Sequence, residues 1–212
     1  MTLQISICLL FGYLLGSLNP AALLDKIKHV NLRERGSGNL GATNTMIIMG
    51  RKYGTLVLLF DFFKGFFAVR IARTLFPGLA LAGLLTGSST VFGHVFPFYL
   101  KFKGGKGLAA YGGMLLALDP LLFLIVAVIA LVLVLVFNYS VAAPLTGGIL
   151  FPILYGLRMH SLRVFSISAV VGILVIAKHF GNLGKARRKE DITSREFIQK
   201  HLLEKEGDTA ED

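Results

Sequence analysis

The chain has 212 residues, of which 54% are hydrophobic and only 16% are charged. Soluble globular proteins carry about 25% charged residues, so this composition excludes an ordinary soluble domain and indicates a polytopic helical membrane protein. The net charge of +10 is concentrated in short segments between apolar runs. Membrane topology explains such segments, so no nucleic-acid partner is expected.

The apolar runs predict about seven transmembrane helices. A span needs roughly 20 apolar residues, and the clearest run, residues 121–137, contains no charged side chain. The fourth span has only about 13 residues and reaches roughly 20 Å, which is too short to cross a bilayer alone. Proline disfavours helix in the preceding residue, so Asp119-Pro120 should separate this span from the fifth. The predicted spans are 3–24, 54–75, 79–98, 106–118, 121–138, 142–157 and 163–180.

Basic residues divide unevenly between the two ends of this predicted bundle. Three segments on one side hold 17 of the 22 lysines and arginines. Short basic loops stay in the cytoplasm, so we expect the N-terminus outside and the C-terminus inside. Residues 1–184 are expected to form the membrane domain and 185–212 a cytoplasmic tail. Thr193 and Glu196 fit a capping box, so the tail is either an amphipathic helix on the inner leaflet or a frayed end.

The first candidate site is a polar, glycine-rich loop, RGSGNLGATN, at residues 35–44. Glycines let backbone N–H groups converge on an anion, and the polar side chains add further donors. The alternative is a simple turn. The candidate phosphate-binding residues are Gly36, Ser37, Gly38, Asn39, Gly41, Thr43 and Asn44.

A second loop, KFKGGKG at residues 101–107, combines lysines with glycines directly before a predicted helix. A mobile backbone, a point charge and a helix N-terminus together favour phosphate. No Ser or Thr follows the lysine, so it is not a Walker A loop. The alternative is a basic loop that serves topology alone. The candidate phosphate-binding residues are Gly104, Gly105, Lys106 and Gly107.

Polar residues within the predicted spans give weaker signals. His179 and Asn182 are three residues apart at the end of the seventh span and share a helical face. Asp61 and Lys64 are also three apart, inside the second span, and unpaired charges there would be costly. We therefore expect them to pair with each other or to face a wet cavity. Ser140 should either join a cavity or form the turn after the fifth span.

All of these motifs occur together in one family. The chain resembles the bacterial acyl-phosphate:glycerol-3-phosphate acyltransferases, the PlsY family, over about residues 1–184. The resemblance implies a seven-helix fold in the bacterial plasma membrane, with the site facing the cytoplasm. It implies transfer of a fatty acyl group from acyl phosphate to the 1-hydroxyl of glycerol 3-phosphate. The matching stretches are GYLLGS at 12–17, GSGNLGATN at 36–44, DFFKG at 61–65, GHVFPFYLKFKGGKG at 93–107, and His179 with Asn182.

The resemblance also implies residue roles. The positions that match functional residues of the family are Ser37, Lys106, His179 and Asn182, and the candidate supporting residues are Asp61, Lys64, His94 and Ser140. It implies no metal and no organic cofactor. The expected partners are acyl phosphate, glycerol 3-phosphate and membrane lipids, and a monomer is expected to be functional.

One departure from the family pattern concerns a phosphate-binding arginine three positions after GATN, where this chain has Ile47. Arg51 lies four residues further, on the same face if the segment is helical, and is therefore the candidate substitute. The departure favours an alternative function, a diverged paralogue that binds lipid phosphates without acyl transfer. An anion transporter would instead predict an internal repeat, which the sequence does not show.

Overall fold

The computed structural model describes the backbone of residues 1–187 and the side chains of residues 1–180. The predicted tail around Thr193 lies outside these residues. Within them the chain is helical, with no β-strand, and a short 3₁₀ turn at Phe98–Leu100. The helices are α1 Thr2–Ser17, α2 Pro20–Lys28, α3 Ala42–Met49, α4 Arg51–Leu75, α5 Ala82–Val95, α6 Leu108–Leu118, α7 Pro120–Phe137, α8 Ala142–Arg158 and α9 Leu162–Arg187.

The first predicted span, 3–24, lies within an apolar segment, Thr2–Lys28, that is long enough to cross a membrane, but two helices form it rather than one. α1 ends at Ser17 and α2 begins at Pro20. Between them, the Asn19 side chain accepts a hydrogen bond of 2.8 Å from the Ala22 backbone N–H. Proline fits the first position of a helix because its missing N–H is not needed there. An N-cap followed by proline therefore starts a new helix two residues after the first one ends.

Three segments of the described chain are long and apolar enough to cross a membrane: Thr2–Lys28, which contains α1 and α2, Pro120–Phe137 and Leu162–Phe180. α7 buries only Leu122, Val126 and Ala130, which are spaced four residues apart on one face. Its other faces expose apolar side chains, as expected of a helix that contacts lipid on most of its surface. The count of seven spans stays a prediction.

Glycines bring helix pairs into close contact. α1 packs on α5, α4 on α6, and α8 on α9. A Cβ on Gly65 of α4 would collide with the Ala110 carbonyl of α6, and one on Gly113 would collide with the Phe62 carbonyl. Small residues at such contacts are typical of membrane helices, whose backbones approach closely. The two helices run in the same direction: Ala110, near the start of α6, lies beside Gly65 in the middle of α4, and the end of α6 lies beside Arg73, near the end of α4.

The C-terminal end of the short α6 is capped by a side chain from α4. The Arg73 guanidinium donates to the carbonyls of Ala117 at 2.9 Å and Leu118 at 3.2 Å. The last carbonyls of a helix have no partner within the helix, and in an apolar setting they must find one elsewhere. Arg73 therefore allows α6 to stop after 11 residues.

The predicted break at Asp119-Pro120 is confirmed. Pro120 is the first residue of α7, and the Asp119 side chain accepts from the Leu122 N–H at 3.1 Å. Its other carboxylate oxygen lies 3.1 Å from Nε of Arg158, at the end of α8. This end of the bundle is thus closed by caps and an ion pair, and the glycine-rich loops lie at the opposite end.

Candidate active site

The glycine-rich loop 35–44 is organised by the side chain of Asn44, which is 1% exposed. Its Nδ2 donates to the carbonyls of Leu32 at 3.0 Å and Arg35 at 3.2 Å, and its Oδ1 accepts from the Ser37 N–H at 2.8 Å. An asparagine amide has two N–H donors, and both are used within the loop. The Asn44 side chain therefore shapes the loop, and a part for Asn44 in phosphate binding stays a prediction.

Two glycines of this loop adopt a left-handed backbone. Gly36 has φ +58° and Gly38 has φ +68°, and a Cβ on Gly36 would collide with Oδ1 of Asn44. The turn leaves the Ser37 side chain exposed. The backbone N–H groups that start a helix favour an anion. Because α3 begins just after this turn, exposed Ser37 and Thr43 both lie near such a helix start.

Asn39 and Gly41 complete the approach to α3. Gly41 is the N-cap residue of this helix and is buried. A Cβ on Gly41 would lie 2.8 Å from Nδ2 of Asn39, so the Asn39 amide rests against the start of the helix. Both residues thus lie at the N-terminus of α3, within the loop that is predicted to bind phosphate.

The second loop is held to the end of α5 by its own backbone. The N–H of Gly104 donates to the Val95 carbonyl at 3.0 Å, and the N–H of Gly105 donates to the His94 carbonyl at 3.2 Å. These two N–H groups fix the loop to the end of α5, and the predicted part of Gly104 and Gly105 in phosphate binding stays a prediction. Gly107, with φ +87°, is the N-cap of α6, which places Lys106 directly before the helix start.

The two loops pack against each other. Nη2 of Arg33 donates to the Lys103 carbonyl at 2.6 Å. A Cβ on the buried Gly105 would collide with Nε2 of His94 and would lie 3.1 Å from the Leu40 carbonyl. Only a glycine fits at this contact, so Gly105 marks the junction between the two loops.

His179 lies beside the same junction, on α9. Its side chain is buried, and its Nδ1 lies 2.7 Å from the Val175 carbonyl. A carbonyl can only accept, so Nδ1 donates, and in a neutral ring Nε2 is left as the acceptor. Lys106 acts electrostatically on this ring, and the Val175 side chain faces Gly107 at the start of α6. The α9 face that carries Val175 and His179 thus packs beside the start of α6, in the region of Lys106.

Asn182, predicted to share a face with His179, lies in α9 beyond the residues whose side chains are described. Its role stays a prediction.

Asp61 and Lys64 form the predicted buried pair. Nζ of Lys64 lies 2.7 Å from Oδ1 of Asp61, and both side chains are at most 3% exposed. His94 joins them, with Nδ1 2.9 Å from the Lys64 ammonium. The expectation of an ion pair is confirmed, and the candidate supporting residue His94 connects this pair to the glycine loop.

The structure also bears on two remaining candidates, Arg51 and Ser140. Gly50, with φ +87°, ends α3, and α4 begins at Arg51. Ile47 and Arg51 are therefore on different helices, and the premise that they share one helical face is wrong. Ser140 is exposed and lies in the turn between α7 and α8, where its carbonyl accepts from the Ala143 N–H at 3.2 Å.

Sequence reasoning missed the residues that tie the break after α1 to the loops. Nδ2 of Asn19 donates to the Leu40 carbonyl at 3.1 Å, and the Tyr99 hydroxyl donates to the Ser17 carbonyl at 2.9 Å. An Asn-Pro dipeptide is a turn and helix-start signal, so Asn19 could have been found. Nothing in the sequence marks Tyr99, because its partner is 82 positions away.

A cleft of about 470 Å³ opens between α2, the first glycine-rich loop with the residues before it, and Leu100 of the 3₁₀ turn. Its rim carries the basic side chains of Lys26, His29 and Arg33, with a single acidic residue, Asp25. With His29 neutral, Lys26 and Arg33 against Asp25 leave the lining one positive charge in excess, and an excess of positive charge raises the local concentration of anions. The approach to the loop junction therefore favours anions.

A family model described as glycerol-3-phosphate acyltransferase matches residues 6–189 of this chain. Among curated relatives, the glycerol-3-phosphate acyltransferase of Bacillus subtilis (strain 168) is 35% identical over 189 residues, which cover 88% of this chain and 96% of the relative. That of Aquifex aeolicus (strain VF5) is 36% identical over 176 residues, covering 83% and 92%.

Two crystal structures of PlsY (YgiH), an integral membrane glycerol 3-phosphate acyltransferase, are similar in fold. The glycerol 3-phosphate form matches with a TM-score of 0.81 at 33% identity, covering 89% of this chain and 94% of that one. The lysophosphatidic acid form matches with a TM-score of 0.80 at 31% identity, covering 92% and 99%. With a family model that matches most of its length and these similar structures, the chain belongs to the PlsY family of glycerol-3-phosphate acyltransferases.

Proposed function

We propose that this protein transfers a fatty acyl group from acyl phosphate to the 1-hydroxyl of sn-glycerol 3-phosphate. The products are lysophosphatidate and inorganic phosphate, and the reaction is the first committed step of phospholipid synthesis. The observation that carries the proposal is the packing of the two glycine-rich loops against each other at the start of α6, with Lys106 in the second loop and His179 on the neighbouring helix α9. The names of the relatives, and the glycerol 3-phosphate and lysophosphatidic acid forms of the similar structures, support it.

The chemistry needs positioning and charge neutralisation more than a strong nucleophile. The substrate hydroxyl oxygen attacks the acyl carbon, the bond to the phosphate oxygen breaks, and the hydroxyl proton ends on the released phosphate. An acyl phosphate already carries a good leaving group, so the protein mainly aligns the reactants and stabilises negative charge. Lys106 and the N-terminus of α6 supply positive charge, and Nε2 of His179 is the acceptor that orients the hydroxyl.

The direct experiment incubates the purified, solubilised protein with acyl phosphate and glycerol 3-phosphate and measures released phosphate and lysophosphatidate together. We expect equal amounts of both products. Glycerol should be a very poor acceptor, because the phosphate is the group that the site recognises, and acyl-CoA should not replace acyl phosphate as donor. Phosphate release without lysophosphatidate, or no release at all, would contradict the proposal.

Ile47 favours a second candidate function, a diverged paralogue that binds lipid phosphates. An apolar side chain at a position where the family has a guanidinium removes a bidentate phosphate contact. Under this function the natural chain gives no lysophosphatidate, whereas Ile47→Arg acquires acyl transfer. The same product assay on both proteins separates the two functions.

We further propose that the protein crosses the bacterial plasma membrane seven times as a monomer, with the site facing the cytoplasm. The first two basic segments, together with Lys178 at the start of the third, lie at one end of the bundle, which supports this orientation. Arg33 contacts the Lys103 carbonyl, and Nζ of Lys178 lies 4.4 Å from the centre of the Phe96 ring. Clustered positive charge is retained on the cytoplasmic side.

Cysteine labelling of intact cells tests this orientation. In a Cys8→Ser background, Met159→Cys should react with a membrane-impermeant thiol reagent, because the α8–α9 turn is expected outside. Glu34→Cys should react only after the cells are opened. Both positions are exposed, so accessibility to the reagent is matched. Labelling of Glu34→Cys in intact cells would reverse the orientation.

A further inference from the structure

The Lys64 ammonium is surrounded by three acceptors. It lies 2.7 Å from the Leu18 carbonyl, 2.7 Å from Oδ1 of Asp61 and 2.9 Å from Nδ1 of His94. An ammonium has three N–H donors and no acceptor, so each hydrogen has one partner. When Nδ1 of His94 accepts from Lys64, the proton of a neutral ring lies on Nε2; the same Nδ1 also lies 3.3 Å from Oδ1 of Asp61, so the three side chains form one cluster.

One of these contacts leads to the first loop. The Leu18 carbonyl belongs to the break between α1 and α2, and the next residue is Asn19. Nδ2 of Asn19 donates to the Leu40 carbonyl at 3.1 Å, and its backbone N–H is 3.2 Å from the Tyr99 hydroxyl. Lys64 therefore holds Leu18, and the next residue, Asn19, binds Leu40 in the glycine-rich loop.

A second contact leads to the other loop. The His94 ring, held at Nδ1 by Lys64, presents Nε2 to Gly105, where no Cβ fits. The His94 carbonyl also accepts the Gly105 N–H at 3.2 Å. Gly105 immediately precedes Lys106, so the position of the ring limits where the reactive lysine can lie.

We propose that Lys64 is a positioning residue that sets the spacing between the two loops. It touches neither substrate and acts through the Leu18 carbonyl and through His94. This inference rests on the proposed acyl transfer for its kinetic consequences, but the spacing itself can be measured without any reaction.

A role in stability alone would leave the charge unexplained. Taking a lysine and an aspartate out of water is costly, and apolar side chains of similar volume often stabilise a buried site equally well or better. Lys64 is 4% exposed and Asp61 is 2% exposed, so this cost applies in full. What an apolar side chain cannot do is bind a carbonyl, a carboxylate and an imidazole at once and so fix three chain segments at hydrogen-bond distance.

The kinetic test replaces Lys64 with methionine, which keeps the volume and removes the donors. We expect kcat to fall about a hundredfold, because a misplacement of about 1 Å at a reacting group has an effect of this size. The KM for glycerol 3-phosphate should change much less, since alignment matters more in the transition state than in the ground state.

The matched control is Arg73→Met on the same helix. Arg73 is also a basic residue that donates to two carbonyls, but it lies nine residues away, about 14 Å along α4, at the other end of the bundle. We expect Arg73→Met to lower the thermal stability while the folded protein keeps its kcat. Equal losses of kcat in both variants would reduce Lys64 to a stabilising residue and overturn the proposal.

Two further comparisons separate positioning from stability. In a Lys106→Ala background, Lys64→Met should cause little additional loss, because groups that act through one another are not additive. His94→Asn should retain clearly more activity than His94→Ala, because the asparagine oxygen can accept from Lys64 where Nδ1 did. If Lys64→Met does not fold, the comparison of His94→Asn with His94→Ala still tests whether the Lys64–His94 contact positions the loops. Additive losses, or equal activity of the two His94 variants, would contradict the proposal.

The structural arm uses nitroxide labels on Glu34→Cys and Lys101→Cys in a Cys8→Ser background. Both positions are exposed, one on each loop. Dipolar broadening should report one narrow distance distribution in the parent and in Arg73→Met, and a broad one in Lys64→Met. An unchanged distribution in Lys64→Met would overturn the inference. If the proposed function is wrong, the unsubstituted protein will show no acyl transfer. The distance measurement would still test the role of Lys64.

Discussion

Replacing Lys106 with alanine is expected to lower kcat/KM for acyl transfer about a hundredfold, while the protein stays folded. Lys106 directly precedes the N-terminus of α6 and acts electrostatically on the His179 ring. Negative charge increases on the acyl oxygen and on the departing phosphate during transfer, and a fixed cation in a site of low polarity stabilises it strongly. The measurement is steady-state product formation together with the thermal unfolding midpoint.

The matched control is Lys103→Ala, in the same loop. Lys103 contributes its backbone carbonyl to Arg33, and its side chain is exposed, so kcat/KM should remain close to the parent value. If Lys106→Ala is well folded and as active as Lys103→Ala, the assignment of Lys106 to the reaction is wrong.

Replacing Asn44 with aspartate is expected to abolish most activity, with a loss of about a hundredfold or more. The two side chains have the same size, but a carboxylate cannot donate to the carbonyls of Leu32 and Arg35. The buried Leu32 carbonyl would lose its partner at a cost of about 1–3 kcal/mol, the partly buried Arg35 carbonyl would lose its partner at a smaller cost, and a negative charge would be placed beside both. About 2.7 kcal/mol already corresponds to a factor of a hundred.

Calorimetric binding of glycerol 3-phosphate and thermal unfolding should both be recorded for this variant. We expect binding to weaken more than global stability, because the damage is confined to the loop. Asn31→Asp is the control: it makes the same chemical change in an exposed residue of the same region that also has a left-handed backbone, φ +61°. Equal activity of the two variants would show that the Asn44 amide does not organise the site.

Local sequence signals predicted the helices well. Apolar runs located the long helices, and Asp119-Pro120 marked a break because an N-cap and a proline act on their immediate neighbours. The spacing of Asp61 and Lys64 predicted their pairing for a similar reason, since both residues lie on one helix face. The break at Asn19-Pro20 followed the same rule but lay within an apolar run, which concealed it.

The roles within the loops could not be predicted in this way. The N–H groups of Gly104 and Gly105 bind carbonyls at the end of α5, and the Asn44 amide binds carbonyls nine and twelve residues away. A glycine-rich pattern indicates that backbone groups are available, but the fold decides which of them remain free for a ligand. Gly50 illustrates the same limit, because a single left-handed residue placed Ile47 and Arg51 on separate helices.

The contact between the two loops also bears on how this family diverges. The acceptors at the junction are backbone carbonyls, those of Leu40, His94, Val95 and Lys103. Every residue type has a carbonyl, so substitutions at such acceptor positions change side chains without removing the hydrogen bonds. Only a few positions then need one particular residue type, namely the side-chain donors and the tightly packed glycines, such as Arg33, Asn19 and Gly105. This chain and its Bacillus subtilis relative are 35% identical. Two sequences that differ this much can therefore keep the same loop geometry while most of their surface residues change.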